Sequence, residues 1–274
     1  MSNFDIKRFV KVAQWTLKMN FKGVLSYAAG LSFAYLFILF TWLFPILKGS
    51  KDVSAELLIH TVSICSITYL FIVIASGTWI FANMQTKAQR TTMKLLPATD
   101  LEKFLANFLA VTLGAAVMAI VAFFVADILR ILTCLVVGVD YVTFSLPYFL
   151  QMVFTNADIT GNLTSAGSTY PTAVNFVAAG WCFWAQSLYI LGGTALRRYQ
   201  FAITSTVHAA LFIAMTVVVA YGNGNIEATV MDEGLAPTFY TIGAVLFGIA
   251  VLNWWFSYRI FKRMQVINNK WINL

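Results

Sequence analysis

The sequence predicts an all-α integral membrane protein: six transmembrane helices, both termini cytoplasmic, and an amphipathic interfacial helix ahead of the first span. Three observations carry this expectation. Of 274 residues, 60% are hydrophobic and only 11% are charged, with a mean hydropathy of +0.78, whereas soluble domains carry about a quarter charged residues. Six apolar runs each approach or exceed the ~20 residues needed to cross a bilayer core. The lysines and arginines fall almost entirely in alternate loops.

Residues 1–23 form the interfacial element. Within "DIKRFVKVAQWTLKMNFK" (residues 5–22), Ile6, Phe9, Val10, Ala13, Leu17 and Phe21 fall in an arc of about 120° at 100° per residue. Lys7, Lys11, Gln14, Lys18 and Lys22 fill the neighbouring arc. The expectation is a helix in the headgroup layer, with the basic stripe Lys7, Lys11, Lys18 and Lys22 facing anionic lipid.

Residues 24–258 hold the spans, at about 24–47, 57–83, 104–126, 171–195, 201–221 and 238–258. The first is too long for the roughly 7–15-residue core of a cleavable signal peptide and reads as a signal anchor. Lys7, Arg8, Lys11, Lys18 and Lys22 precede it, and Lys87, Arg90, Lys94 and Lys103 separate the second and third spans. Arg197 and Arg198 separate the fourth and fifth, and Arg259, Lys262, Arg263 and Lys270 follow the sixth, in a basic cytoplasmic tail at 259–274. Fifteen of eighteen basic residues thus share one side and seven of eleven acids the other, which sets both ends in the cytoplasm. The stretch 131–170 is apolar enough to pass for a seventh span. Crossing there would move six basic residues outside and leave Asp140 near mid-bilayer, which is costly. It is expected instead as an extracytoplasmic, partly membrane-dipping excursion.

The chain offers little covalent chemistry. Cys65, Cys134 and Cys182 lack the spacing of a metal or disulfide framework. There is no phosphate-binding Gly-x-x-x-x-Gly-Lys-Ser/Thr, no His-Glu-x-x-His and no Gly-x-Ser-x-Gly. His60 and His208 stand alone on different spans. No catalytic residue, bound metal or enzymatic activity is therefore expected. The net charge of +7 is assigned to orientation and anionic lipid, not to nucleic acid. Asp127 and Arg130, at i, i+3, are expected as a structural ion pair near the outer interface. Trp181 and Trp184 share a helix face with Gln186 close behind; they line a substrate path or subunit interface, or else the bundle core. The pairs Ser26/Gly30, Ala110/Gly114 and Ala244/Gly248 are spaced for close helix contacts.

The stretch "MQTKAQRTTMKLLPATDLEK" (84–103) interrupts this apolar chain. Pro97 cannot continue a helix begun upstream. Thr99 or Asp100 can cap a new one, with Glu102 and Lys103 in its first turn. Leu95, Leu96 and Leu101 give the element an apolar side. It is either a discrete cytoplasmic knob or a well-capped start to the third span.

The basic interfacial helix, the six spans and the turn "LLPATDLEKFLA" together resemble the permease subunits of ATP-binding-cassette transporters, type-2 exporter permeases in particular. The likeness covers most of the chain as architecture and Leu95–Ala106 as a motif. It implies that Leu96, Pro97, Ala98, Thr99, Asp100, Leu101, Glu102 and Lys103 form a coupling helix docked on a separate cytoplasmic ATPase. That subunit would hold the ATP and magnesium, and this chain would bind no cofactor. The resemblance further implies pairing with a second permease copy or a paralogue, residence in the bacterial cytoplasmic membrane, and substrate export. One departure stands out: members carry a re-entrant helical element between the fifth and sixth spans, where this chain has the polar "GNGNIEATVMDEGLAPT". A secondary transporter or channel, and a non-transporting membrane scaffold or sensor, are the alternatives.

Overall fold

Backbone polar groups in lipid must be satisfied within the chain, which leaves helices or closed barrels as the spanning structures. The computed structural model describes residues 4–47, 55–84, 86–138, 143–155, 171–222 and 235–264, and among them it is helical with no strand. In order, the helices are α1 (Ile6–Leu47), α2 (Ala55–Ala75), α3 (Lys87–Leu95), α4 (Asp100–Leu109), α5 (Ala115–Val137), α6 (Leu146–Thr155), α7 (Pro171–Ala195), α8 (Gln200–Gly222) and α9 (Leu235–Arg263). Among the described residues, five stretches are long and apolar enough to cross a membrane: Ile6–Thr41, Leu57–Met84, Asp100–Val137, Thr172–Ala195 and Pro237–Arg263. The chain is an integral membrane protein by this measure. A further apolar stretch, Gln200–Ala214 in α8, is shorter.

Two expected boundaries move. No break separates residues 1–23 from the first span, because α1 runs uninterrupted for 42 residues. At 1.5 Å per residue it is about 63 Å long, more than the ~40–45 Å of a whole bilayer with its headgroups. The charge pattern changes at residue 22, but no proline or cap interrupts the hydrogen-bond ladder there. The side of α1 that packs inward carries Val12, Thr16, Leu31, Tyr35 and Leu39, while Ile6, Val10, Leu17 and Phe21 stay exposed, as do Lys7, Lys11, Lys18 and Lys22. The third helical run does not end near 126: α4 and α5 continue through a single π-helical turn at Ala110–Gly114 to Val137. Gly138 then stops it in the left-handed conformation (φ 78°), its N–H returning to the carbonyls of Cys134 and Leu135.

The expected excursion is therefore helix at its start, and helix again in α6. Ten residues make only about 15 Å, too short to cross. Instead α6 folds onto α2 and α5, burying Phe149 and Met152 among Tyr35, Tyr69 and Phe123. The rings of Phe123 and Phe149 stack at 4.0 Å, with Tyr35 and Tyr69 edge-on to Phe149. The rest of the excursion at 156–170, Asp140, the loop at 223–234 and the tail beyond 264 lie outside the described residues.

A second group packs α7 against α9 along much of their length, with α8 beside α7. Glycine permits the closest approach: a Cβ on Gly180 would lie 3.0 Å from the Gly243 carbonyl oxygen. The two groups are joined through the end of α2, which loosens into 3₁₀ turns at Ser76–Trp79 and Ala82–Met84. That segment lies directly on α7, where a Cβ on Gly193 would meet the Thr78 carbonyl oxygen at 2.7 Å and one on Gly77 would meet Ile190 at 2.9 Å. The glycines picked out by spacing, Gly30 and Gly248, have open space around them, and Gly114 faces only its own helix. Spacing along one helix says nothing about which face meets a neighbour.

Gly193→Leu is expected to destabilise the detergent-solubilised chain by about 1–3 kcal/mol or more, through forced separation of α7 from the 3₁₀ segment. Gly248→Leu, made in open space, is expected to leave the thermal unfolding midpoint unchanged.

Candidate functional site

The turn at 86–104 is built from two reciprocal caps. Thr86 Oγ1 accepts from the Gln89 N–H (3.3 Å) while Gln89 Oε1 accepts from the Thr86 N–H (3.1 Å), which starts α3. The helix stops at Leu95, because a residue preceding proline is forced out of the helical region. Leu96 accordingly takes φ −56°, ψ 133°. Thr99 then caps α4, accepting from the Glu102 N–H (3.2 Å) while Glu102 Oε2 accepts from the Thr99 N–H (2.9 Å).

Glu102 does more than cap. Its other oxygen, Oε1, accepts from the Asp5 N–H (2.9 Å) and from Arg8 Nη2 (3.0 Å), with no side-chain exposure. The start of α1 is thereby fixed to the start of α4. Lys103, also buried, turns back so that Nζ donates to the Lys94 carbonyl (3.1 Å) at the end of α3. Lys94 in turn lies 3.7 Å from Asp100 Oδ1, donates to the Phe261 carbonyl (3.5 Å) and sits over the Phe261 ring. Deeper along the same face of α4, Asn107 donates to the Lys103 carbonyl (2.8 Å) and accepts from Asn83 Nδ2 (3.1 Å). An aromatic layer seals the network from beneath: Phe81 stacks on Phe261 at 4.8 Å, and Phe104 packs on both and on Tyr258.

The eight expected docking residues therefore divide. Glu102 and Lys103 do not face outward: the capping box and the contact with α1 turn both charges inside. Pro97 and Leu101 are exposed, and Leu95 beside them is 76% exposed, so the outward surface of the turn is chiefly apolar. Leu96, Ala98, Thr99 and Asp100 are half-buried between these faces. The pattern Thr99-x-x-Glu102 announces the reciprocal cap, though not the burial of its carboxylate. Nothing local announces Arg8, which reads in the sequence as one more orienting charge. Asn107, a lone amide in an apolar run, is the one signal for its pairing with Asn83.

Above this end, the π-helical turn and the 3₁₀ segment meet. Ser76 Oγ donates to the Val73 carbonyl (2.7 Å) and to the Val111 carbonyl (2.5 Å), supplying a partner where the regular ladder is broken. Gln186 Nε2 reaches the Val73 carbonyl (3.3 Å) from α7. Trp181 and Trp184 both pack on the His208 ring of α8, at 5.7 and 5.5 Å between centroids. All three thus make packing contacts at the junction of α2, α7 and α8, and Trp184 also borders an apolar groove of about 290 Å³ against α9.

At the other end, Asp127 and Arg130 form a fully buried pair (2.8 Å) that also holds the returning chain. Asp127 Oδ2 accepts from the Ser145 and Leu146 N–H groups (2.8 and 3.2 Å) at the start of α6, and Arg130 Nη2 donates to the Thr143 carbonyl (2.5 Å). The pair closes its own charge and anchors α6 as well. Among the described residues no three His, Cys, Asp or Glu side chains converge, and the three cysteines are free thiols.

No protein-family model, curated protein or solved structure matches this chain.

Glu102→Ala is expected to cost about 2–3 kcal/mol, somewhat under the loss for breaking a fully buried pair, because Arg8 keeps partial access to water. Leu95→Ala, at an exposed position of the same turn, is expected to leave the unfolding midpoint within error.

Proposed function

We propose that this chain is the membrane-spanning permease subunit of an ATP-binding-cassette exporter, driven by a separate ATPase that docks on the turn between α3 and α4. The observation that carries the reading is an apolar surface, Leu95, Pro97 and Leu101, held on a turn whose charges are spent internally. An exposed leucine pair at a strongly basic end suits a protein partner better than water. The turn is also bonded to α1 through Glu102 and to α9 through Lys94, so a push on it is delivered to both helices at once.

In this reading the basic end faces the cytoplasm, α8 counts as the fifth of six spans, and both termini are inside. Two copies, or this chain and a paralogue, enclose the path, and ATP binding in the partner shifts the pair between inward- and outward-facing states. The chain itself carries no ATP or magnesium, and the membrane is the bacterial cytoplasmic one.

A second reading, a self-contained secondary transporter, is favoured by one observation: two adjacent runs are both interrupted at the same depth, where Ser76 bonds Val111. Discontinuous helices of this kind line binding sites in such transporters.

Leu95→Ser with Leu101→Ser is expected to abolish recovery of a soluble ATPase from the host membrane in gentle detergent, at unchanged unfolding midpoint. Undiminished recovery would remove the docking assignment. Gradient-driven uptake by the purified chain alone would favour the second reading.

A further inference from the structure

At the basic end, away from the docking surface, the end of the 3₁₀ segment, the middle of α3 and the turn joining α7 to α8 line a small pocket of about 40 Å³. At roughly 10–15 Å³ per water it has room for a few waters or one small oxyanion. Two guanidinium groups line it, Arg90 from α3 and Arg197 from the α7–α8 turn. The remaining wall is largely apolar, with Phe81, Met84, Leu196 and Met264.

The two cations have opposing claims on this space. Burial, and then the neighbouring Arg90 charge, lower the Arg197 pKa from its ordinary value, so the pair is held together against its own repulsion. Arg90 Nε is spent on the Thr86 carbonyl (3.4 Å), but its Nη1 is buried and makes no hydrogen bond. A buried guanidinium N–H without an acceptor is costly, and a second cation beside it compounds the cost. Either cost is removed by an anion with several acceptor oxygens placed between the groups. Two carbonyls of the pocket wall, those of Gly193 and Leu196, each accept from Gln200 Nε2 (3.3 and 2.6 Å).

We propose that the Arg90–Arg197 pocket is a binding site for a phosphate group, supplied by an anionic phospholipid of the adjoining leaflet. Its depth is that of the headgroup layer, since it lies at the ends of α7 and α9 and beside the start of α8, where apolar spans give way to a basic turn. The oxyanion sits between the two guanidinium groups. The apolar wall of Phe81, Met84, Leu196 and Met264 receives the glycerol and upper acyl carbons. Free inorganic phosphate has the same oxyanion chemistry without those carbons, and so would gain nothing from that wall. The site differs from the lysine stripe of α1, which is exposed and offers only diffuse attraction.

The test uses the full chain purified in a neutral detergent. Thermal unfolding is followed with added phosphatidylglycerol, phosphatidylcholine or inorganic phosphate, and retained lipid is counted by native mass spectrometry. Phosphatidylglycerol is expected to raise the midpoint by several degrees and to remain bound as one tight adduct; phosphatidylcholine, whose quaternary ammonium brings a third positive charge beside the two guanidinium groups, and inorganic phosphate, which lacks the acyl carbons, are expected to do neither. Arg90→Gln with Arg197→Gln is expected to weaken retention about thirtyfold, at the usual contribution of one basic residue near a lipid surface for each. Arg90→Lys, which keeps the charge and loses the fork, is expected to fall between. Arg198→Gln, the same charge change on the exposed neighbour, is expected to leave retention unchanged. Equal loss in Arg198→Gln, or no discrimination between the two lipids, overturns the proposal. A midpoint shift produced as well by inorganic phosphate overturns the lipid assignment and leaves a free-phosphate site. ATPase recovery is read on the same variants; it is expected to persist, so the fate of this site and that of the docking turn are separable.

Discussion

A carboxylate without access to water is tolerated only when its acceptor positions are filled, and the basic end of this protein is organised around meeting that condition at Glu102. Losing hydration costs an ion several kcal/mol, which a single ion pair rarely offsets. Here the Thr99 and Asp5 N–H groups and the Arg8 guanidinium all donate to it. Two of these partners are backbone groups at helix starts that would otherwise lack acceptors. The same bonds therefore answer three needs: they neutralise the charge, begin α4 and fix α1 beside it. Lys103, the next residue along, inherits an inward orientation from this and closes the end of α3.

Asp127 follows the same logic at the opposite end. It accepts from Arg130 on its own helix and from the first N–H groups of α6, so a ten-residue helix too short to span is nonetheless held in place. Each carboxylate thus begins a helix and joins it to a distant part of the chain. Between them the structure relies on aromatic packing and on glycine contacts that bring α7 onto the 3₁₀ segment and onto α9. Where regular helix gives out, at Ser76 and Val111, a side-chain hydroxyl restores a hydrogen bond that lipid cannot supply.

What was legible in the sequence was local. Pro97 ending one helix and Thr99 starting the next follow from backbone sterics and capping, and both stand where expected. The spans at 171–195 and 238–258 fall within α7 and α9 because long apolar runs have few alternatives in lipid. The illegible features depend on rotation about helix axes, or on pairs distant in sequence. Arg8 and Glu102 are 94 residues apart, and no periodicity connects them. The continuity of α1 was hidden for a different reason. Its lysines report a change of surroundings, and surroundings can change without the backbone bending. Apolar residues in 146–155 likewise signal burial in some medium, without distinguishing a lipid crossing from a fold back onto α2 and α5.

Rigid and interrupted regions occupy different levels of the bundle, and on the proposed reading this division sets what each can do. At the basic end, bonds from Glu102 and Lys94 tie the α3–α4 turn to α1 and α9, so none of these ends is displaced alone without stripping acceptors from buried charges. A partner pressing on Leu95, Pro97 and Leu101 therefore meets a single body. One level further in, the 3₁₀ segment and the π-helical turn already lack regular i to i−4 bonding, and Ser76 is the bond between them. Rotation at that level disturbs the fewest backbone hydrogen bonds, which are the most expensive interactions to break in lipid. Motion imposed at the turn is then absorbed where α2 crosses α7, beside Gln186 and the Trp184 that borders the groove against α9. On the proposed reading these are the parts a coupling element needs: a stiff receiving surface, a stiff connection, and a compliant level further in.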